Sequence, residues 1–342
     1  MPRSPRSIGS TRTIAAPAAP DPTALLSESA LFDRAEQLRT RIAWLYYVEG
    51  LTQSGIAERV GLSRVRVNRE LAICRERGIV QIRINARLAS CVACERRLIE
   101  RFALKDAVVV PTPEDPALLP EVIGTAAGQY VSDRLVAGMN IGVGWGRTVL
   151  GSLKAIERRN VPDLAIVSLM GGLTRASAIN TYETASRFAD LLGAECYYLA
   201  APTFISSAES RSTFIEQAAI RDVLERARKV DLALVSVGDL GAGSTIRRLD
   251  LLGADELDSL IEAGAVGDSL GHFIDARGRL VDHPINRRVI GLAPAELSSV
   301  PTAILASGGR EKDGIITAVL EAGFLNVAIT DEATAGRLLA PG

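Results

Sequence analysis

In the N-terminal part of the chain, apolar residues recur over residues 31–49 with the period of an amphipathic helix. The stretch "EGLT" breaks this pattern at Gly50, and a second helical segment continues to Val60. Gly61 ends that segment, and a third helix is predicted to about Arg77. "IVQIRIN" then alternates apolar and polar residues, which predicts a short strand or wing, and "LASCVACERRLIERF" predicts a connecting helix.

Further along the chain, short apolar runs alternate with longer amphipathic segments. This alternation is typical of an α/β domain with a mainly parallel sheet. Nearly every run ends in Gly, Pro or Asp, and ligands of such sheets bind beyond the carboxyl ends of the strands. The predicted strands lie in "DAVVVP", "MNIGVG", "DLAIVSLMGG", "CYYLAAP", "DLALVSVGD", "PTAILASGG" and "NVAITDE".

These patterns divide the chain into four segments. Residues 1–30 are rich in Pro, Ala, Ser and Arg, and we interpret them as a disordered basic arm, with a transit peptide as the alternative. Residues 31–87 form a predicted winged helix-turn-helix domain and residues 88–104 a linker helix. Residues 105–342 form a larger, Rossmann-like α/β domain, which we expect to bind an effector.

Charge and composition narrow the classes of partner. Up to Arg87 the chain has 14 Lys and Arg against 8 Asp and Glu, whereas the remainder has 25 against 32. A basic N-terminal segment followed by an acidic remainder indicates that only the N-terminal segment binds a polyanion. No apolar run reaches the length of a membrane span and no signal peptide is recognisable, so we expect a cytoplasmic protein without a membrane partner.

Cysteine and histidine usage argues against a metal site. Four cysteines in 342 residues are too few for a disulfide scaffold. Cys91 and Cys94 have metal-ligand or redox spacing, but a structural zinc site needs four ligands and no second pair is nearby. We therefore interpret them as thiols on a helix and predict neither a metal nor another cofactor.

The stretch "LTQSGIAERVGLSRVRVNREL" has helix-turn-helix spacing. Ala57 allows two helices to approach closely, Gly61 allows a tight turn, and Val67 packs back under the first helix. Arginine pairs well with guanine and phosphate, and asparagine with adenine, which favours DNA binding over the alternative of a helical hairpin with a solvated charged face. The predicted DNA contacts are Thr52, Gln53, Ser63, Arg64, Val65, Arg66, Asn68 and Arg69.

Two glycine-containing loops follow predicted strands and are candidates for binding an anion or a sugar. In "IGVGWGRTVL", backbone N–H groups and glycines allow close approach of a ligand, although such glycines are often only turn residues. The loop is neither a dinucleotide nor a nucleoside-triphosphate motif. The second loop, "SGGREK", contains one of only four lysines in the chain, and the alternative is a solvated surface lysine. With other strand-end groups, the predicted effector contacts are Gly144, Trp145, Gly146, Arg147, Thr148, Gly171, Gly172, Asp239, Asp268, Phe273, Gly308, Gly309 and Lys312.

From about Arg41 to Leu339 the chain resembles the sorbitol-operon (SorC) type of bacterial transcriptional regulators. The resemblance is carried by "YYVEGLTQSGIAERVGLSR", "ERGIVQIRI", "IGVGWGRTV", "GDSLGHFIDARGRLV" and "SGGREKDGIITAVLEAGFLNVAITDEATAGRLL". It implies a DNA-binding unit coupled to a sugar-sensing domain related to sugar-phosphate isomerases and deaminases, a tetrameric assembly, and a phosphate contact at Lys312. The chain departs from the family pattern at Val65 and Arg66, where proline and threonine are common, so the operator sequence cannot be transferred.

The sequence thus predicts a non-enzymatic regulator of a carbohydrate or polyol operon. Its expected partners are operator DNA, a sugar, polyol or sugar-phosphate effector, and further copies of itself in a dimer or tetramer. An isomerase- or deaminase-type enzyme with an appended DNA-binding domain is the alternative. Asp239, Asp268 and Glu311 are available carboxylates, but no spacing specifies an acid–base pair.

Overall fold

The computed structural model describes residues 22–80, 89–173 and 179–340, with side chains described from residue 34 onward. The chain divides into two compact units, residues 1–82 and 83–342. The predicted basic arm before residue 22 and the predicted wing from residue 81 onward lie outside the described residues. The first helix begins at Pro22, ahead of residue 31, where the sequence pattern places the start of the domain.

The first unit contains three helices, α1 (Pro22–Tyr47), α2 (Gln53–Val60) and α3 (Arg64–Glu76). Their apolar faces meet in a small core of Ile42, Leu45, Ile56, Ala57, Val67 and Leu71. Ala57 lies in this core, and Gly61 has the positive φ of 69° that the predicted tight turn requires.

The second unit is built on a seven-stranded sheet in which every pairing is parallel, in the order β1–β10–β9–β5–β2–β3–β4. Six of these strands lie within the apolar runs that the sequence analysis identified, and β4 overlaps its run but begins one residue earlier, at Glu195. The strands are β1 (Asp106–Val110), β2 (Asn140–Val143), β3 (Ala165–Ser168), β4 (Glu195–Tyr197), β5 (Leu232–Val235), β9 (Thr302–Ala306) and β10 (Val327–Asp331).

Helices flank this sheet, and a buried apolar core lies on each of its faces. None of the helices in the described part of the chain combines the length and apolar character that crossing a bilayer requires. The helices are α4 (Ala89–Phe102), α5 (Leu119–Ser132), α6 (Arg147–Ser152), α7 (Thr181–Leu192), α8 (Ala208–Glu216), α9 (Ala218–Ala227), α10 (Thr245–Arg248), α11 (Ala254–Glu262), α12 (Asp313–Glu321) and α13 (Glu332–Leu338).

A small antiparallel sheet follows the central strand β5. It consists of β6 (Val237–Gly238), β7 (Ala265–Ser269) and β8 (His272–Asp275). The last two form a hairpin whose turn residues, Leu270 and Gly271, both have positive φ, as a two-residue hairpin turn requires. The Asp275 carboxylate accepts hydrogen bonds from the N–H groups of Arg277 and Arg279, in the turn that follows β8.

Candidate functional site

The recognition helix of the helix-turn-helix is α3, and both helices of the motif are capped as their sequences require. Thr52 accepts a hydrogen bond from the N–H of Gly55 at the start of α2, and Ser63 accepts one from the N–H of Arg66 at the start of α3. Since both hydroxyls satisfy backbone donors of their own helices, a contact of Thr52 or Ser63 with DNA would be additional to a structural role.

The outward face of α3 carries the predicted DNA contacts. Arg64, Val65, Arg66, Asn68 and Arg69 are all exposed, and Val65 is 80% exposed although it is apolar. Because Val67 and Leu71 are buried on the opposite face, these five side chains are free to meet a groove.

Two polar contacts hold the recognition face in place. The Nε2 of Gln53, in the first turn of α2, donates a hydrogen bond to Oδ1 of Asn68 over 3.3 Å. The Glu70 carboxylate accepts a 2.8 Å hydrogen bond from Nε of Arg39 and lies 4.0 Å from Nε of Arg66. Gln53 therefore lies on the same surface as Asn68, and both are predicted DNA contacts.

In the second unit, three neighbouring strands deliver their C-terminal loops to one edge of the sheet. Strand β5 pairs with β2 on one side and with β9 on the other. The chain passes from β2 outward to β3 and β4 and returns on the other side of β2 at β5, so β2 and β5 flank a switch point of the topology. Ligands of open parallel sheets bind at such a point.

A cleft of about 320 Å³ opens there. Seven of the predicted effector contacts line it, namely Trp145, Gly146, Arg147, Thr148, Asp239, Asp268 and Lys312. The first four follow β2, Asp239 follows β5 through β6, Lys312 follows β9, and Asp268 comes from β7. Gly146 has a φ of 117°, a conformation that glycine adopts readily and that turns the chain into α6.

The other predicted effector contacts are not among the lining residues. Gly144 faces the Leu270 side chain, and Gly171 and Gly172 allow close approach of the Ala201–Pro202 backbone and of the Tyr182 ring. Phe273 is fully buried, with its ring stacked on Phe204 at a centroid distance of 6.3 Å. Gly308, after β9, lies against the side chains of Asp331 and Thr334. The N–H of the next residue, Gly309, donates a hydrogen bond to the Thr334 hydroxyl.

Several lining residues were not among the predicted contacts. Ser236 and Thr245 add hydroxyl groups, and Glu311 adds a third carboxylate next to Lys312. A serine directly after an apolar strand is no signal by itself. Thr245 stands in the glycine-containing stretch "GDLGAGST", which does point to a strand-end loop. The remaining lining residues are Pro120, Val237, Gly238, Gly241, Ala242, Gly243 and Ile246.

The charged groups of the cleft are buried to different degrees. Asp268 is 1% exposed, and burial raises the pKa of its carboxyl to about 6, against the opposing effects of a hydrogen bond from the N–H of Gly271 and of the Lys312 ammonium. Burial also lowers the pKa of Lys312, while the Asp239 carboxylate acts in the opposite direction. Arg147 is exposed at the mouth. The cleft thus offers cationic donors for an anionic group and carboxylates that accept hydroxyl hydrogen bonds.

In the described part of the chain, no group of three or more His, Cys, Asp or Glu side chains is placed to hold a metal ion. All four cysteines are free thiols, and Cys91 is buried in α4, which raises its thiol pKa.

Comparison with known proteins points to one class. Residues 86–340 match the sugar-binding family model described as "Putative sugar-binding domain". The chain is 31% identical to the erythritol catabolism regulatory protein EryD of Brucella abortus, over 90% of this chain and 98% of that protein. It is 33% identical to the transcriptional regulator LsrR of an Enterobacter species, over 89% of this chain and 93% of that protein.

A solved structure of a transcriptional regulator is also similar to this chain. The full-length sorbitol operon regulator SorC from Klebsiella pneumoniae superposes with a TM-score of 0.68 at 26% identity. The match covers 90% of this chain and all of that one. The likeness therefore extends across both units, and the named relatives are transcriptional regulators, not enzymes.

Proposed function

The chain belongs to the SorC-type family of sugar-binding transcriptional regulators, and from that premise we propose that it binds operator DNA through α3 and is controlled by an effector bound in the cleft of the second unit. The observation that carries the proposal is the convergence of seven predicted contacts on one cleft at the switch point of the sheet.

The DNA-binding half of the proposal rests on the recognition face of α3. Its exposed Arg64, Arg66 and Arg69 give it a local positive charge, and Asn68 adds a side chain suited to adenine. Effector binding shifts the population between two states that differ in the spacing of the DNA-binding heads. Because operator half-sites are read in pairs, the functional protein is at least a dimer, and the family resemblance favours a tetramer.

The effector half rests on the chemistry of the cleft. Arg147 and Lys312 suit an anionic group, and Asp239 and Asp268 suit vicinal hydroxyls, so the ligand is a sugar, a polyol or a phosphorylated form of either. Two of the similar proteins are named for erythritol and sorbitol, which makes polyols and their phosphates the first compounds to test.

A thermal-shift screen of sugars, polyols and their phosphates tests this function, since a ligand that binds the native state raises its unfolding temperature. A hit is then added to a gel-shift titration with operator DNA and incubated with the protein to follow turnover. Binding without turnover, together with altered DNA affinity, supports a sensor. Turnover of the ligand would instead support the enzymatic alternative.

A further inference from the structure

Trp44 is exposed on the surface of the DNA-binding unit, where a large aromatic side chain is unusual. It is 58% exposed, and Val48, which directly follows the last residue of α1, is 61% exposed. Trp44 lines a shallow depression of about 560 Å³ on this surface. Adjacent exposed apolar side chains beside a concave surface mark a contact site more often than isolated ones do.

The exposed residues form a stripe along α1. Gln37, Arg41 and Trp44 are spaced by four and three residues, which places them on one face of α1, and all three are exposed. The exposed Val48 follows the end of α1, and its N–H donates a 2.9 Å hydrogen bond to the carbonyl of Trp44. The opposite face of α1 packs in the core of the unit, since Ile42 and Leu45 are buried together with residues of α2 and α3. Helix α1 therefore has one apolar face in the core of its own unit and a second, partly apolar face that is exposed.

The charges around Trp44 indicate what this face can bind. The depression is lined by two acidic side chains, Glu36 and Glu49, and two basic ones, Arg41 and Arg59. Glu49 and Arg59 form a 3.0 Å ion pair with each other. A surface with balanced charge does not attract a polyanion, unlike the arginine-rich face of α3, but it suits an identical surface related by a two-fold axis, where acid can meet base in both directions.

We propose that the Trp44 stripe, residues Gln37, Arg41 and Trp44 of α1 with the following Val48, pairs the DNA-binding units of two copies of this chain. The inference rests on the proposed function, because a helix-turn-helix that reads two half-sites requires two heads held side by side. Pairing through α1 leaves the exposed residues of α3 free. The aromatic ring of Trp44 is the anchor of the interface, and the charged side chains form its rim.

Site-specific cross-linking of the full chain tests the pairing directly. A Val48→Cys variant treated with a short bismaleimide should form a covalent dimer, whereas Glu58→Cys, an exposed position on α2, should not. The wild-type chain controls for its own four thiols. Adding Trp44→Glu to the Val48→Cys variant should reduce the cross-linked fraction at least tenfold. Equal cross-linking at positions 48 and 58, or none at 48, would overturn the proposal.

A DNA titration separates this inference from the proposed function. Trp44→Glu should weaken binding to a two-half-site operator at least tenfold and change binding to a single half-site less than twofold. Thr40→Glu, which alters the same depression without removing an aromatic ring, should act in the same direction. If the wild-type chain bound no DNA but the position-48 cross-link formed, the pairing would stand and the proposed function would fall. If the wild-type chain bound the operator and neither substitution weakened that binding, the pairing proposal would fall and the proposed function would stand.

Discussion

Gly238 and Asp268 lie opposite each other in the small antiparallel sheet, and the Asp268 carboxylate occupies the space that a β-carbon at position 238 would need. Both residues line the cleft. The absence of a side chain at Gly238 therefore allows the carboxylate of Asp268 to lie at the wall of the candidate effector site.

We expect Gly238→Ala to weaken effector binding about tenfold or more. The new methyl group meets the Asp268 carboxylate rather than backbone, so Asp268 has to move and loses its position in the cleft. A hydrogen bond to a charged group is worth roughly 1.5–3 kcal/mol, which corresponds to that loss. Gly336→Ala is the matched control, because Gly336 lies in α13 outside the cleft and a β-carbon there meets open space. Calorimetric titration with the ligand from the screen measures both, and equal affinities would contradict the assignment.

Asp268→Asn should make the protein more stable at neutral pH while weakening effector binding. In the folded protein the pKa of Asp268 is about 6, above the ordinary value of 3.8, so the cost of burying the charge is absent below pH 3.8 and complete above pH 6. A shift of this size corresponds to about 3 kcal/mol, and the asparagine avoids that cost. The advantage of the variant in denaturant unfolding should therefore grow between pH 4 and pH 7.

The exposed Asp258, which pairs with Arg247 on the surface, provides the control for this pH dependence. Asp258→Asn should follow the wild-type stability profile within a few tenths of a kcal/mol, as exposed ion pairs contribute little. A variant at position 268 whose advantage did not change with pH would show that desolvation of the carboxylate is not the cause.

Lys312→Ala should abolish the effector-induced change in DNA affinity and leave DNA binding without effector unchanged. Lys312 is half-buried at the cleft beside Asp239, so its loss removes a charge-assisted contact and leaves a carboxylate without its cation. Lys154→Ala is the matched control, since Lys154 is an exposed lysine paired with Glu121 on the surface. A gel-shift titration with and without ligand distinguishes the two variants. If the Lys312→Ala variant responded to the effector as the wild-type chain does, Lys312 would not be an effector contact.

The sequence predicts those features of the fold whose pattern lies within a single short segment of the chain. All seven strands of the parallel sheet are recognisable, because each lies in or overlaps a short apolar run, and such a run is visible without knowledge of the neighbouring strands. The loops after β2, β5 and β9 were identified by the same local rule.

The order of the strands is not local, and this explains why two of the predicted contacts do not line the cleft. Gly171 and Gly172 also follow a strand, but β3 lies one position outward from the switch point, and its loop meets Pro202 and Tyr182 instead. Pro120 enters the cleft from the start of α5, and nothing in its own segment relates it to the loops after β5 or β9.

In the DNA-binding unit, we expect Arg64→Ala and Asn68→Ala to relax sequence preference. Both side chains project early from the recognition helix, and a good base contact contributes roughly 1–3 kcal/mol of discrimination. Gln53→Ala should give a smaller loss, because Gln53 holds the amide of Asn68. Arg75→Ala, near the far end of α3, is the control, as its guanidinium bonds the Tyr47 hydroxyl. Competition gel shifts with single-base operator variants measure the effect, and unchanged discrimination would contradict the assignment.

Two glycines of the helix-turn-helix should respond oppositely to alanine. Gly61 has a φ of 69°, and a left-handed conformation costs a residue with a β-carbon about 1–2 kcal/mol, so Gly61→Ala should destabilise the DNA-binding unit and weaken operator binding. Gly55 lies within α2, where a β-carbon makes only an ordinary contact with the Thr52 hydroxyl at 3.5 Å. Gly55→Ala should therefore stabilise the unit by about 0.5–1 kcal/mol. Hydrogen exchange of the amides of α2 and α3 reports on this unit, and exchange in the second unit should be unaffected by either change. If both substitutions shifted protection in the same direction, the turn at Gly61 would not have the conformation described.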